Sequence, residues 1–285
     1  MPQIPCKEIV KKITNRLKLH PTPNKTLAAV LVGKNFASIS FLKQKEKAAK
    51  ELNVDFQIYE FPENISRGEL LQKVDEIVNQ ESVGGIIIQL PLPKQFNSQE
   101  ILNIIPAEKD IDVLGKQALK VFNAGKSTIL PPAVEVVKEI LNSQSYILNS
   151  KKVAVMGTGN LIGRPIAAWL KEKTAELIIL NSKTENIKEE LKNADVIISG
   201  AGKPNLFSEK DLKESAIVID FGYSITKKRN KYGVMSKKIK GDFDTSLFNA
   251  KNSSFFYTPT PGGTGPILVA KIMENFYRLN SSTLP

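Results

Sequence analysis

The sequence predicts an α/β protein in two parts, each built on a parallel sheet, the second of them doubly wound. Three observations predict it. Short apolar runs alternate with amphipathic helical segments along the chain, the layout of βαβ units whose sheets are covered on both faces. The alternation pauses at a proline-marked stretch, Ile129-Leu130-Pro131-Pro132, and restarts beyond it. In the restarted half a glycine-rich turn, Gly157-Thr158-Gly159-Asn160-Leu161-Ile162-Gly163, joins a strand pattern to a helix pattern.

In chain order, KEIVKKITNRLKL reads as a helix ended by His20, whose imidazole is an ordinary C-terminal cap. LAAVLVG (27–33) reads as a buried strand, followed by a lysine-rich helix over 38–53. The stretch SFLKQKEKAAK in that helix carries Lys43, Lys45, Lys47 and Lys50. At 100° per residue, Phe41, Leu42, Ala48, Ala49 and Leu52 fall within about 60° of Lys45, and the other three lysines fall on the far side. Lys45 therefore sits in an apolar stripe, where a lysine either snorkels to water or is held partly desolvated. VDFQIYEF (54–61) is a strand, and Ser66-Arg67-Gly68-Glu69 forms a capping box ahead of a helix bearing Leu70, Leu71, Val74, Ile77 and Val78. GGIIIQL (84–90) is a further buried strand.

ILPPAVEVVKEIL (129–141) reads as a connecting helix begun at Pro131 and Pro132. The second half then runs KKVAVMG strand, glycine turn, LIGRPIAAWLKE helix, AELIIL strand, ENIKEELKN helix, ADVIISG strand and AIVIDFG strand, closed by a helix over 265–279. This is the order of a nucleotide-binding doubly wound domain.

Composition narrows the function classes. The chain has 285 residues, 41% hydrophobic and 24% charged, as a globular protein should. No apolar run reaches the 18 or more residues of a membrane span, and MPQIPCKEIV lacks the layout of a signal peptide. Cys6, the sole cysteine, excludes an internal disulfide and a cysteine-cluster metal site. Together these predict a cytoplasmic protein with no metal and no membrane partner. The formal charge of +11 raises nucleic acid as a partner. The lysines are scattered and no nucleic-acid signature accompanies them, so none is expected. With His20 the only histidine, proton transfer in an enzyme of this sequence rests on Lys, Asp, Tyr or water.

The glycine turn has the form GxGxxxG. Such glycines bring backbone N–H groups and a helix N-terminus against a pyrophosphate, so Gly157, Thr158, Gly159 and Gly163 are candidate cofactor contacts. After the next strand a NAD enzyme usually presents a carboxylate to the ribose. Here the chain reads Asn181-Ser182-Lys183-Thr184. An edge with a cation and no carboxylate at Ser182 and Lys183 tolerates a 2′-phosphate, which favours NADP and leaves NAD possible.

Four stretches together resemble the bifunctional methylenetetrahydrofolate dehydrogenase/cyclohydrolase family. They are VGKNFASISFLKQKEK, GGIIIQLPLP, IPAEKDIDV and TPTPGGTGPILVA (258–270), in that order across nearly the whole chain. The resemblance implies a folate-binding α/β domain (1–130 with 264–285) and a Rossmann-like NAD(P)-binding domain (131–263), with a cleft between them. It implies Lys45, Gln89 and Asp112 as catalytic residues: the working lysine, its glutamine partner and the pterin-binding carboxylate. It places Phe41, Ile88 and Leu90 beside them in the substrate site, with Pro261, Gly262, Gly263, Thr264 and Gly265, and Tyr223 in the cofactor site. Tetrahydrofolate derivatives are the implied substrates, no metal is needed, and a homodimer is implied.

Two linked reactions follow from it. Hydride leaves the methylene bridge of 5,10-methylenetetrahydrofolate for the nicotinamide, and water then opens the methenyl cation to 10-formyltetrahydrofolate. A desolvated lysine with a depressed pKa can shuttle the proton of the second reaction. The alternatives are a monofunctional dehydrogenase and a non-catalytic binding relic of the family. The sequence departs from the family pattern at several places. Phe41 replaces a tyrosine, Val113 a glycine, Thr158 and Gly159 an Arg-Ser pair, Asn181 a histidine, and 131–136 a Pro-Cys-Thr-Pro-x-Gly segment. Loss of the glycine at 113 implies that a backbone with φ > 0 there adopts another turn.

Overall fold

The computed structural model describes residues 3–229, 235–246 and 255–281. Packing divides the chain into two units, Val10–Pro132 with Leu268–Pro285, and Met1–Ile9 with Ala133–Ile267.

In the first unit, helix α1 (Cys6–Lys18) leads to strand β1 (Thr26–Val32), every residue of which is buried. Past the helix end, the His20 backbone N–H donates to the Leu17 carbonyl. Helix α2 (Phe36–Glu51) follows, then β2 (Asp55–Phe61), α3 (Arg67–Val78) and β3 (Val83–Ile88). The strands pair in the order β2-β1-β3, all parallel. β1, the central strand, is buried along its whole length and reads as a continuous apolar run, as a central parallel strand does; β3, whose outer side is met by the Ile86–Asp110 bridge, is buried likewise, while the other edge, β2, has only exposed and half-buried residues. Ala28, Val30, Leu70, Val74, Ile77, Ile86 and Ile88 form one core between sheet and α3, each large aliphatic contributing roughly 1.5–3 kcal/mol by burial.

Helix α2 begins two residues earlier than its apolar pattern suggests, because the Asn35 side chain caps it by accepting from the Ser38 N–H at 3.1 Å. Two short helices, α4 (Ser98–Leu102) and α5 (Lys116–Asn123), carry too few turns to show a clear period and escape the sequence pattern.

In the second unit, α6 (Pro132–Ser143) starts at the second of the two prolines. The strands that follow are β4 (Lys152–Met156), β5 (Glu176–Leu180), β6 (Val196–Ser199), β7 (Phe207–Ser208), β8 (Ile217–Asp220), β9 (Ser224–Arg229), β10 (Met235–Lys240), β11 (Phe243–Asp244) and β12 (Phe256–Tyr257). A five-stranded parallel sheet has the order β12-β8-β6-β4-β5, with α7 (Gly163–Leu170) and α8 (Ile187–Asn193) as crossovers. β9 and β10 form an antiparallel hairpin, and β7 pairs with β11; the sequence pattern showed none of these short strands. Phe207, Phe243, Phe255 and Tyr257 pack as an aromatic cluster, with ring centroids 5.3 Å apart for Phe207 and Phe243. The N-terminal residues, expected in the folate domain, belong to this unit: Gln3 bridges Tyr257, and the Ile4 N–H donates to the Tyr257 carbonyl at 2.9 Å.

Helix α9 (Thr264–Asn280) closes the chain. Its Phe276 packs where Gly85 of β3 has no side chain, since a Cβ there would stand 2.9 Å from Ile111 and 3.0 Å from Phe276.

Candidate active site

Helix α2 turns Lys45 inward. Leu42 and Ala49 on the same stripe are buried, Phe41 and Ala48 are half-buried, and Lys43, Lys47 and Lys50 are exposed. Lys45 itself is 7% exposed, so of the two outcomes open to a lysine in an apolar stripe, the structure adopts desolvation. Its Nζ donates to Gln89 Oε1 at 3.1 Å. Gln89 stands just past β3, its backbone N–H donating to the Val30 carbonyl of β1, so the sheet fixes its position. Its Nε2 donates to the Leu90 carbonyl at 2.9 Å, which Ser38 Oγ also reaches at 3.4 Å. The glutamine carbonyl thereby faces the lysine. Burial pushes the Lys45 amine below the ordinary lysine range, and the Asp112 charge opposes this.

Asp112 lies on a loop that joins the sheet. Asp110 bridges Ile86 of β3, and the Ile86 N–H donates to the Lys109 carbonyl at 2.9 Å. The Asp110 carboxylate, 1% exposed, accepts the Leu114 and Gly115 N–H groups at 2.9 and 2.7 Å. From the other side Asn275 of α9 donates to the carbonyls of Ile111 and Leu130, both at 2.9 Å. Asp112 is thus hung between two anchors. Burial raises its pKa and the Lys45 charge lowers it, so each group of the pair moderates the other. Asp110 is pushed up to about 6, chiefly by burial.

Val113 corrects one expectation. It sits at φ 54°, in the left-handed region. The turn that favours glycine is retained with a β-branched residue in it, a strain of roughly 1–3 kcal/mol. Full burial of the valine side chain, at 1% exposure, helps hold it there.

Phe41 is half-buried on the Lys45 stripe. Ile88 is 2% exposed and packs into the sheet core, so its side chain is committed to folding. Leu90 contributes its carbonyl, as above.

In the second unit the glycine turn divides by role. Gly157 has φ 96° and its N–H donates to the Leu180 carbonyl. A Cβ on Gly163 would collide with the Gly157 carbonyl, so Gly163 sets the close approach of helix and turn. Gly159 faces open space, where a ligand backbone could come near. Beside the turn lies a pocket of about 220 Å³. Met156, Leu180, Ile187 and Leu206 give it apolar walls, and Thr158, Asn181 and Ser182 line its polar side with Lys203. Gly157 is in the lining; Gly159, Gly163, Lys183 and Tyr223 are not. The Lys183 N–H closes a turn on Asn181 Oδ1, and its side chain is exposed.

At Pro261–Gly265, Gly262 has φ 91° with open space around it, and Gly265 is likewise open. Gly263 is buried under the Pro259 carbonyl. Thr264 Oγ1 donates to the Asp220 carbonyl at 2.9 Å and is 6% exposed, so its hydroxyl is a structural tie. Pro261 is exposed.

Both stretches, the one with the buried lysine–glutamine pair and the one with the glycine turn, fall within matches to one family. The profile for tetrahydrofolate dehydrogenase/cyclohydrolase, catalytic domain, matches residues 4–112, and the profile for its NAD(P)-binding domain matches residues 131–283. The chain belongs to the tetrahydrofolate dehydrogenase/cyclohydrolase family. The bifunctional protein FolD of Oceanobacillus iheyensis is 33% identical over 277 residues, 94% of this chain and 93% of that one. A crystal structure of the bifunctional FolD enzyme from Campylobacter jejuni superposes with a TM-score of 0.88 at 32% identity, covering 99% of each chain. The Trypanosoma brucei FolD structure, complexed with NADP cofactor and inhibitor, has a TM-score of 0.85 at 26% identity, covering 96% of this chain and 94% of that one.

Within the family motifs, the sequence pattern marked Lys45, Gln89 and Asp112 as candidates and did not mark the residues that hold them. Asp110 stood in the same IPAEKDIDV stretch, and its apolar neighbours were the available signal. Asn275 and Lys203 carried no local signal, since their partners or pockets are assembled by the fold.

Proposed function

We propose that Lys45, Gln89 and Asp112 are the catalytic set of a bifunctional enzyme acting on tetrahydrofolate-bound one-carbon groups. The protein oxidises 5,10-methylenetetrahydrofolate to the methenyl form and hydrolyses that form to 10-formyltetrahydrofolate. The single observation that carries the catalytic assignment is the buried Lys45 amine, 3.1 Å from Gln89 Oε1.

NADP is the cofactor. The structure fits it with the tight Gly157 turn, the open backbone at Gly159 and a neighbouring pocket with apolar walls and a polar edge. When bound, it supplies a hydride acceptor. Gly157, Thr158, Gly159 and Ser182 would hold it.

In hydrolysis, the methenyl carbon is already electrophilic, so the protein has to orient water and move protons. The unprotonated Lys45 amine takes the proton that water loses as its oxygen bonds to that carbon. Collapse of the resulting carbinol makes the formyl C=O, breaks the carbon–N5 bond and transfers the hydroxyl proton to N5, with the same amine as relay. Burial keeps the amine deprotonated at a lower pH than a surface lysine. Gln89 directs it without adding a charge, and Asp112 accepts from the pterin's amino and ring N–H donors. Phe41 packs on the pterin face. Pro261–Gly265 contribute exposed backbone to substrate binding, supported by their motif and by the open space at Gly262 and Gly265. Tyr223 and Lys183 keep a cofactor role on the motif alone. A homodimer in the cytoplasm accords with the family resemblance.

The test is direct. Purified protein is given methylenetetrahydrofolate with NADP or NAD, and nicotinamide reduction is followed, then decay of methenyl absorbance. Both phases are expected, with the second lost in Lys45→Met.

A further inference from the structure

The edge that the sequence offers to a 2′-phosphate is Ser182 and Lys183, yet the structure puts Lys183 outside the nucleotide pocket. Among the described residues lining that pocket, Lys203 is the one charged side chain. It stands after β6, in the same pocket as Asn181 and Ser182, where the end of β5 would meet a ribose. Lys203 is itself exposed, with its side chain at the pocket rim.

Its backbone is held tightly. Asp242, fully buried, accepts from Ser199 Oγ at 2.6 Å, from the N–H groups of Ala201 and Gly202 at 2.8 and 3.2 Å, and from the Lys203 N–H at 2.8 Å. The Leu206 N–H adds a bond to the Asp242 carbonyl at 2.6 Å. Four donors on one carboxylate saturate it. The loop from Ala201 to Lys203 is thereby wrapped round a buried aspartate side chain, and Lys203 is in the pocket lining. A carboxylate so satisfied is a frame for the loop, and a ligand phosphate meets Lys203 instead.

We propose that Lys203, positioned by Asp242, is the residue that selects NADP over NAD by pairing with the 2′-phosphate. The proposal deepens the cofactor reading above and rests on it. A charge-bearing phosphate needs a cation near the ribose; Thr158 cannot supply one, Lys183 lies outside the pocket, and Lys203 is in it.

The experiment measures calorimetric binding of 2′,5′-ADP and 5′-AMP to wild type, Lys203→Gln and Lys183→Gln, alongside kcat/KM with NADP and with NAD. Lys203→Gln should weaken 2′,5′-ADP binding roughly 10- to 100-fold, the worth of one charge-assisted hydrogen bond, and change 5′-AMP binding less than about twofold. NADP kcat/KM should fall in parallel while NAD kcat/KM holds, and Lys183→Gln should lower 2′,5′-ADP affinity by less than Lys203→Gln does. Equal loss of both nucleotides in Lys203→Gln would place the lysine at a shared phosphate and overturn the proposal. So would the 2′-phosphate effect appearing in Lys183→Gln instead. Wild type that binds both nucleotides equally would remove the preference to be explained and the proposal with it. If the inference alone is wrong, wild type still reduces NADP; if the cofactor reading is wrong, wild type itself fails to use it.

Discussion

The Lys45 amine lies 3.1 Å from Gln89 Oε1, a bond that ties helix α2 to the end of strand β3. The first prediction follows from it. Lys45→Met keeps the chain length and the apolar stem and removes only the amine. Hydrolysis of the methenyl substrate should fall by roughly 10²–10⁴-fold, the usual worth of a positioned proton carrier. Circular dichroism and NADP binding should match wild type. Hydrolysis at the wild-type rate would remove Lys45 from the mechanism.

A second prediction uses the partner. Gln89→Glu places a carboxylate against the amine, and an opposite charge favours the protonated lysine. Burial holds the Lys45 pKa down and Asp112 already holds it partly up, so a further anion raises it. The lysine limb of the pH–rate profile for hydrolysis should move to higher pH by about one unit or more. An unmoved or acid-shifted limb would show that the lysine is not the titrating group.

Phe41 gives a third. On the half-buried side of the Lys45 stripe, a tyrosine at this position would add a hydroxyl able to orient the amine. Phe41→Tyr should speed hydrolysis roughly 2- to 12-fold, the worth of one net hydrogen bond of about 0.5–1.5 kcal/mol. Dehydrogenation, which depends on stacking of pterin and nicotinamide, should change less. Slower hydrolysis with unchanged folate affinity would mean that the pocket has been rebuilt around phenylalanine and leaves the new hydroxyl unpaired.

The fourth concerns stability. Asp220 is raised from 3.8 to about 7, chiefly by burial, despite accepting the Gly222 and Phe243 N–H groups at 2.6 and 3.0 Å. Between those two values the folded chain holds a proton there that the unfolded chain has released. Stability therefore falls as pH rises through that window, by up to ~1.4 kcal/mol per pH unit for this one group. Asp110, raised to about 6, adds the same sign over the lower part of it. Asp220→Asn should flatten the slope of unfolding free energy near pH 6–7, whatever its effect on absolute stability. Denaturant unfolding at a series of pH values measures this, and an unchanged slope would show that Asp220 is ionised in the folded state.

Much of the first-unit site was legible because its determinants are local. The period of α2 alone separated Lys45 from Lys43, Lys47 and Lys50, and their burial follows that division. Continuous apolar runs marked β1 and β3 because both strands are buried along their whole length, their two faces covered. The pair β7–β11 was illegible, since two residues give no period to read, and β9 (SITKKR) and β10 (MSKKIK) are lysine-rich segments without an apolar run.

Composition and spacing established the α/β class, the two alternating halves, the glycine turn and the inward lysine. They also marked Gln89 and Asp112 as candidates, through motifs whose order along the chain is specific. Only the tertiary structure decided which groups hold these residues and which basic side chain lines the pocket beside the glycine turn. Asn275 meets the Asp112 loop across 164 residues of sequence, and Asp242 meets the Lys203 loop across 39. It also decided that Val113 keeps a left-handed backbone, because surrounding hydrogen bonds and burial can outweigh a local preference worth roughly 1–3 kcal/mol. A pattern along the chain reports which face of an element is apolar; which buried donor meets which buried acceptor is settled when distant elements pack, since each polar group taken from water must find its partner there.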